Sequence, residues 1–263
     1  MRVLGVDVGG TKIAAGIVDT ATGQVSERLS WLTEARERSA EAVLVGIVDC
    51  ARELQPERIG IGVCELVDPS GRTTSAYTID WRDRFLPDAF AVPCRVESDV
   101  RVAALAEARF GAGRGRGSFL YVTVSTGISH CLVLDGRPWA GARGNALVTG
   151  NPPVELVASG KALQDAAGRA SAQAVLADPD CTPLVERAAG ELAGALAALV
   201  DALDPEALVI GGGLGLEQRY RELWEPAMRA RLYARTTAAS LEVVGAELGP
   251  EAGVVGAALA ASG

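Results

Sequence analysis

Six residues near the start of the chain, Asp7-Val8-Gly9-Gly10-Thr11-Lys12, combine a carboxylate, two glycines, a hydroxyl and an ammonium. Glycines let backbone N–H groups approach phosphate oxygens without side-chain obstruction, and consecutive N–H groups form an anion-binding concavity. Thr11 adds a hydroxyl donor and Lys12 a charge, while Asp7 is placed to hold a phosphate-bound Mg²⁺, through water. An ordinary Gly-Gly hairpin turn is the bland alternative. Val124-Ser125-Thr126-Gly127 repeats the arrangement with two hydroxyls and a glycine, suited to another part of a polyphosphate. Gly211-Gly212-Gly213, after an apolar run, is a third place where backbone can approach a ligand, here an adenine ring or its ribose. Each of the last two is commonplace alone; the three in this order are more specific. Glu97-Ser98-Asp99 precedes a helical pattern beginning at Val100, and by spacing alone Asp99 reads as that helix's N-cap.

The elements that must position these groups alternate between strand and helix. Val3 to Val8, a turn at 9–11 and Ile13 to Val18 form a hairpin, and Gln24 to Trp31 is a third strand. Ser39 caps a helix running to Leu54, whose apolar positions Val43, Ile47, Cys50 and Leu54 recur at helical spacing. Ile59 to Val63 is a short buried strand, and Val96 opens another that leads into a helix from Val100 to Phe110. Four glycines in residues 111–117 mark a hinge. Phe119 to Val124 and Cys131 to Leu134 are strands around the second polar turn. Helices follow at Val154 to Ala167, Leu184 to Leu203, Glu217 to Leu232 and, small-residue throughout, Gly253 to Ala260. Leu4–Asp19 and Leu120–Asp135 are units of the same length at an offset of 116 residues, a pattern that hairpins of a common type also produce. The expected class is α/β, with a first domain over 1–117 completed by the C-terminal helix (251–263) and a second over 118–250.

Composition narrows the function further. The 263 residues carry 25 Lys plus Arg against 33 Asp plus Glu, a net charge of −8, and the pI is about 4.9. So acidic a chain lacks the electrostatic footprint of a nucleic-acid or anionic-membrane binder. Five cysteines stand apart in sequence beside a single histidine, His130, which argues against a zinc site and for reduced thiols. No signal-peptide pattern or membrane-length apolar run is present, so the expected location is cytoplasmic.

The motifs together resemble the ROK family of sugar kinases, of the actin-like, ribonuclease-H-like ATPase superfamily, along almost the whole chain. Asp7–Lys12 matches the family's first phosphate loop and Leu120–Ile128 its second. Gly111-Ala-Gly113 matches the interdomain connection, Val209–Leu214 the adenosine loop, and 253–260 the C-terminal connecting helix. Trp81-Arg82-Asp83 is similar to the segment after the first sugar-contacting loop. The resemblance implies two actin-like domains flanking an interdomain cleft that close over the substrates. It also implies ATP and Mg²⁺ as cofactors, Asp99 as the catalytic base toward an acceptor hydroxyl, and a homodimer. The acceptor side departs from the family. Cys64-Glu65 replaces Pro-Gly, Thr78 and Ser98 replace sugar-contacting Asn residues, and Val148 and Asn151 replace the sugar-binding Glu and zinc-ligating His. The zinc loop is deleted, and of the acidic residues around it only Glu155 remains. The expected acceptor is therefore a modified hexose or a cyclitol with an exocyclic CH₂OH rather than plain glucose. Glu65 is the natural replacement contact, with a solvated loop Glu as the other reading. His130 reads as structural, and Arg114 and Arg116 as parts of a solvated loop, with phosphate contact the alternative. A ligand sensor or pseudokinase derived from the same family is the rival reading. The family's repressors carry a DNA-binding segment ahead of the first phosphate loop, which here starts at residue 7, and intact Asp7, Thr11 and Asp99 argue against decay.

Overall fold

The computed structural model describes residues 1–33, 39–82, 84–150, 152–233 and 235–263. Asp83 and Asn151 lie outside the described residues. The chain divides into two compact units, residues 1–114, 136–146 and 248–263 in the first, and 115–135 and 147–247 in the second.

In the first unit β1 (Val3–Val8), β2 (Lys12–Val18), β3 (Val25–Leu32), β4 (Arg58–Val63) and β5 (Cys94–Ser98) form one sheet in the order β3-β2-β1-β4-β5. The hairpin partners are antiparallel, whereas β4 runs parallel to both β1 and β5. β1 and β4 are apolar on both faces because both are covered, which is the pattern of a central parallel strand. Helix α1 (Ala40–Leu54) follows its capping residue Ser39, which accepts from the Ala42 N–H, and buries Val43, Ile47, Cys50 and Leu54. Helix α2 (Asp99–Phe110) leaves the end of β5.

Small residues decide how the C-terminal helix α9 (Ala252–Ser262) joins this unit. A Cβ at Gly5 would overlap the Val254 carbonyl, one at Gly60 the Ala257 carbonyl, and one at Gly256 the Val102 carbonyl. Backbone therefore meets backbone where β1, β4 and α2 pack on α9, and no side chain larger than hydrogen fits. Glu107, buried in α2, accepts from the Leu248 N–H (2.9 Å) just ahead of that helix.

In the second unit β6 (Ser118–Val124) and β7 (Ile128–Leu134) form a hairpin, β9 (Ala207–Gly211) runs parallel to β6, and β10 (Glu242–Gly245) parallel to β9. A two-residue strand, β8 (Arg137–Pro138), follows β7 in sequence. Helices α3 (Glu155–Ala158), α4 (Gly160–Ala167), α5 (Ala172–Ala177), α6 (Thr182–Leu203), α7 (Gln218–Arg229) and α8 (Arg235–Ser240) fill the connections. Leu192, Leu196 and Val200 of α6 and Trp224 and Met228 of α7 share one core with Leu120, Val122, Val124, Leu208 and Ile210 of the sheet.

The strand order β2-β1-β4-β5 of the first sheet recurs as β7-β6-β9-β10 in the second, with the same parallel and antiparallel relations. The duplication is thus present in topology. Its 116-residue offset holds only up to the turns. Val8 pairs with Ile13, leaving four residues between, whereas Val124 pairs with Ile128, leaving three. Several boundaries also differ from the sequence expectation. The helix expected over 154–167 is broken at Ser159, whose extended ψ of 162° starts α4 anew with its side chain accepting from Ala162 N–H. The strand after the second turn begins at Ile128, three residues early, because His130 is buried and paired rather than part of the turn. Residues 136–146 pack with the first unit, where Arg101 Nη1 donates to the Gly144 carbonyl (2.9 Å). β10, α5 and α8 carry no sequence signal strong enough to have been expected.

Candidate functional site

The tip of the β1–β2 hairpin is held by its own backbone. Gly9 N–H donates to Lys12 O (3.0 Å), Thr33 N–H to Thr11 O (3.0 Å) and the Thr33 hydroxyl to Gly9 O (2.9 Å). Among the described residues the N–H groups of Gly10 and Thr11 have no partner, and the side chains of Thr11 and Lys12 are exposed. A Cβ at Gly9 would lie 2.8 Å from Lys12 O, so this glycine serves the turn. One at Gly10 would meet only Thr78 Cγ2 at 3.7 Å, an ordinary contact, so its bare backbone faces outward.

Beneath this tip lie two carboxylates. Asp7 ends the polar side of β1, with no hydrogen-bond donor to it among the described residues and the first turn of α9 packed against it at Gly253. Burial, and then the charge of Asp99, push its pKa up to about 7. Asp99 opens α2 at the end of β5, accepting from its neighbour Val100 N–H at 2.6 Å. The helix cap itself is Ser98, so the capping role that spacing suggested for Asp99 passes one residue back. Burial raises the Asp99 pKa, while the Val100 amide and the Cys64 thiol act against that rise. The Cys64 thiol donates to Val8 O (3.3 Å) at the end of β1.

The remaining acceptor-side residues fall in the same unit. Thr78 is half-buried beside Gly10. Ser98 is buried and donates its hydroxyl to Glu65 O (2.6 Å). Glu65 is 2% exposed, and its two carboxylate oxygens receive Ser75 Oγ, Tyr77 N–H and Thr78 N–H at 2.7 Å each and Ile79 N–H at 2.9 Å. It is not a solvated loop residue, and its lone pairs are filled by protein. Sequence reasoning missed Arg101, two residues beyond Asp99. Its buried guanidinium joins Glu97 (2.6 Å), Val67 O (2.6 Å) and Gly144 O. A lone arginine in a helix carries no signal of that role.

The second unit repeats the open tip. Ser125 N–H donates to Gly127 O (2.9 Å), Gly160 N–H to Ser125 O (2.7 Å) and Lys161 N–H to Thr126 O (3.3 Å). The N–H groups of Thr126 and Gly127 have no partner among the described residues, and Ser125 and Thr126 are exposed. Glu155 lies at this loop, accepting from Ile128 N–H (3.3 Å) with Oε2 3.0 Å from where a Gly127 Cβ would be. The three glycines at the end of β9 differ in kind. A Cβ at Gly211 would come within 2.5 Å of Tyr121 Oη. Gly212 has φ +82° and no room beside Val124, while Gly213 has nothing within 4 Å. Leu214 and Gly215 N–H both donate to Val124 O (3.1 and 2.8 Å), folding this turn onto the residue that precedes Ser125.

His130 is buried in β7 with Nδ1 2.9 Å from Thr149 Oγ1, and burial pushes its pKa down to about 4, as suits a neutral structural imidazole. Arg116 pairs with Glu242 (2.6 Å) at the start of β10. The five cysteines are free thiols. Among the described residues no helix is long and apolar enough to cross a membrane.

Asp7 meets the requirements of a Mg²⁺ site of the kind that relies on phosphate and water for most ligands. Among the described residues it is a carboxylate without an internal donor, its ionised form disfavoured by burial and then by the Asp99 charge, which a divalent cation would offset.

A model of the ROK family matches residues 3–155 and 148–263. The bifunctional enzyme NanE/NanK of Brucella melitensis is 32% identical over 97% of this chain and 53% of its own length, so the chain spans about half of that relative. The crystal structure of a ROK family glucokinase from Streptomyces griseus in complex with glucose and AMPPNP covers all of this chain and 99% of its own. Its TM-score is 0.84 and its identity 27%. ROK hexokinase from Thermus thermophilus gives a TM-score of 0.81 at 32% identity, covering 100% of this chain and 98% of its own. With the family model spanning nearly its whole length and two solved members sharing its two-sheet α/β fold, the chain belongs to the ROK family.

Proposed function

We propose that this protein transfers the γ-phosphoryl group of ATP to a hydroxyl of a sugar or sugar-like polyol, with Asp99 as general base. The observation that carries the reading is Asp99. It is a carboxylate in the first turn of α2 whose proton affinity is raised by burial, in the same unit as a hairpin tip with two unpartnered amides. Phosphoryl transfer needs little covalent help from protein; it needs the acceptor oxygen positioned and the developing charge neutralised. Asp99 accepts the proton of the attacking hydroxyl, and its elevated basicity suits that task. The N–H groups of Gly10 and Thr11 in one unit, and of Thr126 and Gly127 in the other, supply donors for phosphate oxygens, with Lys12 adding charge. Gly213 offers bare backbone to the nucleoside. Bound Mg²⁺ would supply charge neutralisation on the phosphates, and Asp7 is the residue that would hold it.

The relatives support the sugar as acceptor class: one was solved with glucose and AMPPNP, another is named a hexokinase. The altered acceptor side, with Thr78, Ser98 and Val148 where the resemblance expects Asn, Asn and Glu, supports a modified hexose or a C7-cyclitol over glucose. The test is a panel of hexoses, N-acylated hexosamines and cyclitols, with ADP release as readout and Asp99→Asn as control. Acceptor-stimulated ADP release that vanishes in the variant is expected. No stimulation by any member, or near-normal turnover by the variant, overturns the proposal.

A further inference from the structure

The chain between β4 and the 3-10 turn at Leu86–Ala89 has little regular structure to hold it. Residues 66–74 close a small loop through Thr74 N–H to Leu66 O (2.8 Å) and a bridge between Val67 and Thr73. Residues 75–79 have no strand or helix partner. Their far end is fixed by two core side chains, Ile79 (2% exposed) and Trp81 (1%). Three consecutive amides, of Tyr77, Thr78 and Ile79, find no acceptor in regular structure, and all three converge on the buried Glu65 carboxylate. Ser75 supplies a fourth donor while its own oxygen accepts from Leu66 N–H (2.9 Å).

The same residue is bonded at its other end. Glu65 O accepts from the Oγ of Ser98, the last residue of β5 and the one before Asp99. Thr78 in turn lies against Gly10 of the phosphate-binding tip. Resting on the function proposed above, we infer that Glu65 is a positioning residue: its buried carboxylate clamps residues 75–79 so that Thr78 is presented to the acceptor in fixed relation to Asp99. It acts through the loop rather than by touching substrate. All four partners act as donors, two to each carboxylate oxygen. A glutamine brings its own N–H₂ against amide donors, and an aspartate stops one methylene short.

Glu65→Gln, with Ser75→Ala as the milder companion that removes one donor, tests the clamp in the full-length protein. Amide exchange of residues 77–79 reads the loop directly, and steady-state kinetics reads its consequence. Displacement of a positioning group by about 1 Å is able to cost up to a hundredfold. We expect faster exchange at 77–79 and a rise of about tenfold or more in the acceptor KM, with the ATP KM unchanged within about twofold. Combining Glu65→Gln with Thr78→Ala should add little to the acceptor KM beyond Glu65→Gln alone, since both act on one contact. Should Glu65→Gln fail to fold, Ser75→Ala should show the same pattern at smaller size. Released exchange with an unaltered acceptor KM, or equal losses in ATP and acceptor KM, overturns the inference. Failure of the wild-type protein to turn over any acceptor overturns the proposed function as well, and so is distinguishable from a Glu65-specific failure.

Discussion

Two neighbouring glycines after β9, Gly212 and Gly213, should respond in opposite ways to one added methyl group. Gly212 has φ +82°, and a Cβ there would collide with the Val124 backbone, including its nitrogen at 2.8 Å. The left-handed conformation costs an L-residue about 1–2 kcal/mol, and forcing atoms into a filled space costs about 1–3 kcal/mol more. For a chain of this size each kcal/mol lowers the melting temperature by about 2–4 °C, so Gly212→Ala should lose about 4–20 °C. Gly213 has nothing within 4 Å and an ordinary φ, so Gly213→Ala should stay within about 0.5 kcal/mol of wild type. Its methyl would instead stand between backbone and nucleoside, where one methylene-sized misfit is worth about tenfold or more in affinity. Thermal unfolding without nucleotide and calorimetric titration with ADP separate the two readouts. A Gly213→Ala variant as unstable as Gly212→Ala refutes the steric reasoning, and one that binds ADP like wild type refutes the ligand assignment.

Asp99→Asn should lower kcat by about 10²–10⁴-fold, measured as acceptor-dependent ADP release, while ADP still binds. Its melting temperature above neutral pH should not fall, because Asn still accepts from Val100 N–H and removes a carboxylate whose ionised form burial disfavours. Gly60→Ala places a Cβ inside the Ala257 carbonyl of α9, so expression should yield insoluble protein or a loss exceeding about 3 kcal/mol in urea unfolding; a wild-type midpoint would contradict the backbone packing described. His130, the one histidine, should show no imidazole proton titration by NMR down to about pH 5. Its pKa falls on folding from 6.5 to about 4, so its contribution to stability is complete above pH 6.5 and declines as pH drops through that interval. The full loss is about 3 kcal/mol. A His130→Gln variant whose stability falls as steeply between pH 6.5 and 5 as wild type's would count against this.

The two open hairpin tips were legible because turn chemistry is local. Asp7, Gly9, Gly10, Thr11 and Lys12 are contiguous, as are Ser125, Thr126 and Gly127, and a turn's composition nearly dictates its shape. What a local reading could not supply was the destination of a polar side chain that bonds across the chain. Glu65 looked like an open contact or a solvated loop residue, and Arg101 like nothing at all. Glu65 is held by partners ten or more residues away, and Arg101 by the distant Val67 and Gly144 as well as by Glu97 one turn before it.

Sequence alone thus determined the α/β class, the glycine-bearing hairpin tips and the apolar central strands, since period, turn residues and small-residue runs act within a few positions of themselves. Tertiary structure decided the rest. It made Gly60 and Gly212 packing glycines while leaving Gly10 and Gly213 open, drew residues 136–146 to the first unit through Arg101, and turned the Glu65 carboxylate onto residues 75–79. The reason is one of range. Whether a bare backbone or a buried charge faces protein or ligand depends on which distant segment arrives beside it, and only the folded chain brings that segment there.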